Sequence, residues 1–256
     1  MNGFDAVRER IRVREVDSAL VERLASELSI QVSLARVLVG RGLTTFEQCR
    51  RFFRPDLSHM HDPFLFSEME KAVSRILRAV SQRERITVYG DYDVDGVTST
   101  AMMVRFLRTM GGVVDYYLPN RLTEGYGMSI EGVEALLARG TKVIITVDCG
   151  IGSTAEVARA HALGIDVIIT DHHEPHESLP QAFAIVNHRV SASGYPESVL
   201  AGVGVALKLC QALSVGSGEN QRWKEYLDLA AVGTAADIVP LTGENRVIAA
   251  EGFRQL

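Results

Sequence analysis

The hydrophobic pattern of the chain changes character near residue 85. Before that point apolar positions recur at helical spacing: residues 17–49 alternate such stretches with short turns, and Gly40, Arg41 and Gly42 interrupt the run. Thr44 then suits the N-cap of a further short helix. A turn-rich stretch follows from Arg54 to Pro63, after which Met69, Val73, Ile76, Leu77 and Val80 line one face of a helix predicted over 67–81. The expected organisation is a small N-terminal helical prelude and linker over 1–65, and a main domain over 66–256.

From residue 86 the period changes. Short β-branched runs at 86–89, 113–118, 143–147, 167–170 and 184–186 alternate with helical stretches near 97–110, 129–139 and 154–163. Two more helical stretches follow, near 199–214 and 223–236. Uniformly apolar strands separated by crossover helices are the habit of a sheet buried on both faces. The predicted fold is therefore α/β: a mainly parallel, Rossmann-like sheet of five strands flanked by helices.

Composition narrows the setting. No apolar run approaches the ~18 residues of a membrane span, and the opening MNGFDAVRERIRVREV carries charge where a signal peptide needs an apolar core. The expectation is a cytoplasmic protein with no membrane partner. The three cysteines, Cys49, Cys149 and Cys210, are widely spaced and form no CxxC pair, so reduced thiols are expected. A net charge of −5 with pI near 5.8 argues against a uniformly basic, nucleic-acid-binding surface. A local groove stays open, because carboxylates that hold divalent ions weigh on the total without repelling a phosphate.

The candidate chemistry sits where three of the runs end. VYGDYDVDG places Asp91, Asp93 and Asp95 at alternate positions, so their carboxylates share a side wherever the backbone stays extended. VIITVDCG ends in Asp148, and VIITDHHEP in Asp171, His172 and His173. In an open parallel sheet the strand C-termini form one edge, and ligands bind there. Each feature alone has an ordinary explanation: an Asp after a strand commonly caps a helix, a His-His pair commonly fills surface or core, and loop acids are usually solvated. Their coincidence at three strand ends favours a site. Carboxylates with an imidazole suit Mn²⁺ or Mg²⁺ better than a thiolate-type zinc site, and two such ions would activate a water for phosphoester hydrolysis.

With these residues the chain resembles the DHH phosphoesterases, and within them the exonucleases specific for single-stranded DNA. GDYDVDG, LPNRLTEGYGMS, VDCG, TDHH, LAGVGVALKL and GTAADIVPL occur in the family's order across nearly the whole chain. The resemblance implies that Asp95, Asp148, His172 and Asp237 hold one ion, and that Asp93 with a bridging Asp148 holds a second. It implies that His173 contacts the scissile phosphate, and that Asp91 and Asp171 orient neighbouring ligands. Arg121, in a Gly-bearing loop, becomes a phosphate contact. Gly202 and Gly204 are candidates for presenting N–H groups to an anion, and Asn187, His188 and Arg189 are further candidate contacts.

The implied activity is metal-dependent 5′→3′ hydrolysis of single-stranded DNA in recombination and repair, with single-strand-binding or repair proteins as partners. Two alternatives are a small-substrate phosphodiesterase for short oligonucleotides or cyclic dinucleotides, and an inert, metal-stabilised scaffold. The chain departs from the family's small-substrate members, which carry a histidine four positions before Asp93, where Tyr89 stands here. That departure predicts a weaker second ion. Such proteins also continue into a second catalytic subdomain with a glycine-histidine motif, and often an OB-fold. Neither follows Leu256 in this sequence, so weak or no nuclease activity is expected of the 256 residues alone.

Overall fold

The computed structural model describes residues 14–120, 124–125, 127–219 and 221–256. Two compact units divide between Arg54 and Pro55. The first contains α1 (Ser18–Leu28), α2 (Val32–Gly40) and α3 (Phe46–Phe53), closed over Val21, Leu24, Ala35, Leu38 and Cys49. Asp17 caps α1, accepting from the amides of Ala19 and Leu20. Thr45, one residue later than expected, caps α3: its hydroxyl accepts from Gln48 N while the Gln48 side chain accepts from Thr45 N, a reciprocal capping box.

The second unit is built on β1 (Arg85–Tyr89), β2 (Val113–Tyr117), β3 (Thr141–Val147), β4 (Asp166–Thr170) and β5 (Ala184–Val186), all parallel, in the order 2-1-3-4-5. Side chains alternate between faces. Ile86, Val88, Val143, Ile145, Val147 and Ile168 meet α4 (Met69–Ser81), α5 (Val94–Thr109), α8 (Gly202–Gly216), α9 (Leu227–Ala236) and α10 (Gly243–Gly252). Tyr89, Ile144, Val167 and Ile169 meet α6 (Ile130–Ala138) and α7 (Thr154–Ala162). On α4 the face seen in the sequence is the buried one; each large apolar side chain there, such as Ile76, contributes ~1.5–3 kcal/mol by leaving water.

The linker expected up to residue 65 lies instead within the second unit, because a buried polar network ties it down. Lys208 of α8 is fully buried. Its Nζ lies 2.5 Å from Glu244 Oε1 and donates to His61 O (2.7 Å) and Gln211 Oε1 (3.1 Å). Glu244 also accepts from His61 N (2.9 Å) and from the Tyr195 hydroxyl, and Tyr195 stacks on Phe66. The stretch after Pro55 is thereby fixed to α8 and α10.

Register decides what reaches the C-terminal edge. Tyr89 pairs with Thr146, Val147 with Thr170, and Thr170 with Val186. Continuing those pairings brings Asp91, Asp148, Asp171 and Asn187 to one level across four adjacent strands. The ladder does continue past the strands, as Asp148 N donates to Thr170 O (3.1 Å) and Asp171 N to Val186 O (3.2 Å). The chain leaves β1 toward β2 on one side and returns as β3 on the other, so the topological switch point, where a crevice opens, lies between Asp91 and Asp148.

Candidate metal centre at the switch point

Three turns and two helix ends assemble the site. After β1 the backbone does not stay extended through all three acids, as alternate spacing had suggested. Asp93 caps α5 by accepting from Gly96 N (2.9 Å), so the chain becomes helical at Val94 and Asp95 sits in the first turn of α5. Asp91 remains at the strand end, Asp93 is exposed, and Asp95 is buried.

Asp95 points at the start of α8. One oxygen accepts from Gly202 N and the other from Val203 N, each at 2.7 Å, so the positive end of that helix faces its charge. The expectation that the Gly202 amide serves an anionic substrate fails here, because Asp95 already occupies it. A Cβ at Gly202 would lie 2.4 Å from Asp148 Oδ1, so glycine is what lets the two strand ends and α8 converge. A Cβ at Gly204 would meet Leu200 and Ile248, so that position is closely packed. Gly233, which sequence reading passed over, performs a similar service: a Cβ there would lie 2.3 Å from Thr98 Oγ1 and 3.1 Å from Asp95 Oδ1.

Asp148 adopts a left-handed backbone, φ +62°, which Asp tolerates better than most residues. Its Oδ1 lies 3.1 Å from His172 Nε2, and His172 Nδ1 lies 3.7 Å from Asp237 Oδ2. Asp237 follows α9 and is followed by Ile238, also left-handed at φ +60°. Asp237 Oδ2 is buried and accepts no hydrogen bond among the described residues. Burial pushes Asp148 up to about 9 and Asp95 up to about 8, with neighbouring carboxylates adding to the rise. Burial likewise raises Asp237, although His172 opposes it.

Asp171 organises the loop that carries both histidines. Its Oδ1 accepts from His172 N (2.7 Å) and His173 N (3.1 Å) and meets His173 Nδ1 at 2.7 Å, while Oδ2 accepts from Ile151 N (2.9 Å). Burial works to raise this carboxyl, but those bonds and His173 hold it below the usual range. The same bond raises His173 against the opposing effect of burial.

The remaining expected contacts fare differently. Asn187 donates to His173 O (2.9 Å) and accepts from Arg189 N (2.8 Å), and Arg189 pairs with Glu174, so both brace the β4 loop. His188 is buried with both ring nitrogens sealed from solvent, and burial takes it down to about 4. The ring therefore presents neither nitrogen at the surface in this arrangement. Arg121 lies outside the described residues. Tyr89 turns into the α6/α7 side of the core, with its hydroxyl donating to Gly127 O, and is no ligand.

Three overlapping sets of ligand atoms each lie within 4.8 Å of one another: Asp95, His172 and Asp237; Asp91, Asp93 and Asp148; and Asp148, His172 and His173. The first set, two carboxylates with one imidazole, and the second, three carboxylates, fit Mn²⁺ or Mg²⁺. The first set holds three of the four residues expected for one ion, without Asp148, and the second holds the Asp93 and Asp148 expected for the other, together with Asp91. Buried carboxylates that repel one another, and an Asp237 oxygen with no donor, are what a cation would relieve.

The chain is 45% identical over 98% of its length to the single-stranded-DNA-specific exonuclease RecJ of Bacillus subtilis (strain 168), and 40% identical over 96% to that of Escherichia coli (strain K12). It spans 31% and 43% of those relatives. Among solved structures, RecJ of Thermus thermophilus in complex with Mn²⁺ superposes with a TM-score of 0.79 at 32% identity, covering 96% of this chain and 35% of that one. A crystal structure of exonuclease RecJ bound to manganese gives 0.70 at 38% identity, covering 78% and 49%. The sequence pattern described as DHH family, N-terminal domain, matches residues 85–234, which contain the strand-end acids and both histidines, and the chain therefore belongs to the DHH family.

Proposed function

We propose that the chain supplies the metal-holding part of an exonuclease that hydrolyses single-stranded DNA from its 5′ end. The observation that carries this reading is the gathering of Asp91, Asp93, Asp95, Asp148, His172 and Asp237 at the switch point, in overlapping sets of ligand atoms. In it, Asp95, Asp148, His172 and Asp237 hold one Mn²⁺ or Mg²⁺, and Asp93 and Asp91, sharing Asp148, hold the second. Bound there, such ions supply Lewis-acid stabilisation of phosphoryl oxygens and a water acidic enough to act as nucleophile.

The chain's own residues do the rest. Asp171 keeps a proton on His173 and fixes its ring, leaving Nε2 to donate to a phosphate oxygen. The α8 amides fix the Asp95 carboxylate, and the left-handed turn at Asp148 aims its oxygens between the two sets. Arg121 is retained as a phosphate contact. The proposal covers a separate helical N-terminal unit and a metal-binding domain that needs a further subdomain for full grip on the strand. It also covers work in the cytoplasm beside single-strand-binding or repair proteins. Among the described residues no helix is long and apolar enough to cross a membrane.

Titration calorimetry of the chain with Mn²⁺ tests the reading: binding is expected, and Asp148→Ala should weaken it at least ~tenfold, since it removes the shared ligand. Unchanged affinity would refute the bridging role. In the full-length protein, faster hydrolysis of a long 5′-phosphorylated single strand than of a dinucleotide separates the exonuclease from a small-substrate phosphodiesterase.

A further inference from the structure

Asp171 and His173 form a wall with two sides. One faces the carboxylate cluster. On the other, the turn ahead of α6 and the ends of β3 and β4 enclose a cavity of about 300 Å³. That is the lower end of the ~300–1,000 Å³ range of small-molecule pockets, room for one compact ligand rather than a length of chain.

Its lining is specific in kind. Met128 and Ile151 are buried apolar residues. Across from Gly152 lies the His176 ring, close enough that a Cβ on Gly152 would come within 2.9 Å of its Nε2, so glycine makes room for a flat side chain there. The charged lining is mainly acidic: Glu156, Glu174 and Asp171. Such a lining favours a hydrogen-bond donor over a phosphate, most of all at a carboxylate without a partner. Asp171 is committed to its loop and Glu174 to Arg189, whereas Glu156, in the first turn of α7, pairs with no cation among the described residues. A flat, uncharged group with donors on its edge satisfies this lining: apolar contact on its faces, and N–H groups toward Glu156.

We propose that this cavity is a nucleobase subsite, which takes the base of the nucleotide whose phosphate lies at the carboxylate cluster and favours bases bearing an exocyclic amino group. The link to the phosphate rests on the function proposed above; the preference for a base does not. Guanine presents two adjacent N–H donors that a carboxylate accepts side by side. Thymine presents one N–H between two carbonyls, which face Glu156 unfavourably.

The test separates the two readings by using deoxyguanosine and thymidine, which carry no phosphate and need no cation. With methyl-labelled chain, saturable shifts of the Met128 and Ile151 methyl resonances are expected with deoxyguanosine, and at least ~fivefold weaker binding with thymidine. Glu156→Ala should erase that preference, while Glu156→Gln, which keeps one acceptor oxygen, should retain part of it. No saturable shift, equal affinities, or an indifferent Glu156→Ala variant overturns the subsite, whatever the Mn²⁺ titration gives. In the presence of Mg²⁺, which is diamagnetic and leaves the methyl signals intact, deoxyguanosine 5′-monophosphate should move the same methyls at an affinity at least ~tenfold above the nucleoside's, since the two contacts are then joined. Equal affinities would detach the cavity from the phosphate position and overturn that part of the assignment. If Mn²⁺ does not bind while the nucleoside shifts persist, the metal reading fails and the base site stands.

Discussion

Helix α8 serves two buried sets of charges, and they differ in where the counter-charge comes from. Around Lys208, the protein supplies every partner: Glu244 matches the ammonium, and the Tyr195 hydroxyl and backbone groups of His61 complete the set. Around Asp95 and Asp148, among the described residues, the α8 amides and two histidines face five gathered aspartates, and burial with mutual repulsion drives the Asp95 and Asp148 carboxyls upward. A buried pair closed within the fold specifies structure, whereas a buried set left without a matching counter-charge specifies something to be bound.

The largest expected effect breaks the closed set. Lys208→Met leaves Glu244 buried without its counter-charge and should cost ~3–5 kcal/mol in denaturant unfolding. A loss below ~1 kcal/mol would mean that the network is no more than an ordinary surface pair.

The open set should respond in the opposite sense. Asp148 holds its proton up to about 9 in the fold, against an ordinary 3.8, so between those limits the folded state binds more protons than the unfolded one. Its contribution to stability is full below about pH 4 and is lost as pH rises through about 9. Cation-free protein should therefore melt at falling temperature from pH 5 to 8.5, and Asp148→Asn should flatten that slope and gain ~1–3 kcal/mol near pH 8. Mn²⁺ at 100 times its dissociation constant should restore ~2.7 kcal/mol to the native protein and little to the variant. A native slope identical to that of Asp148→Asn would remove the contrast between the two sets.

A finer test concerns the wall between cluster and cavity. Asp171→Asn takes the charge from beside His173, so the histidine should release its proton at lower pH. In the hydrolysis proposed above, the alkaline limb of the pH–rate profile should move to lower pH, with a ~10–100-fold loss of activity. A loss of activity with the limb unmoved would reduce Asp171 to a structural brace.

Much of this was legible in the sequence because parallel strands buried on both faces are uniformly apolar. β5 was placed residue for residue, and the other strands to within two residues of their ends. Helix α10 was not seen, since two residues of its first turn that face inward are Glu244 and Asn245, and their burial is supported by partners 40 residues and more away in sequence. Asp95 was read as part of an extended triplet because the side-chain cap from Asp93 that turns the chain helical competes locally with extension. Asp237 ends a helix, where an aspartate is unremarkable, and only the family's motif order pointed to it. The roles of Gly202 and Gly233 depend on how closely helices approach acids from other elements, which no local pattern encodes.

The shared level of Asp91, Asp148, Asp171 and Asn187 makes strand length itself a constraint. Inserting or deleting a single residue within β3 or β4 would reverse the faces of everything after it and carry a ligand to the wrong side of the sheet. The opposite ends of the strands carry no such burden. The turns at Gly111, Gly140 and Gly164 have open space around them, and although their positive φ strains any residue that replaces the glycine, an insertion beside it meets nothing. For anyone attaching a fluorophore or grafting a peptide, the molecule has a permissive end and a forbidden one, and the boundary between them is counted in residues along each strand.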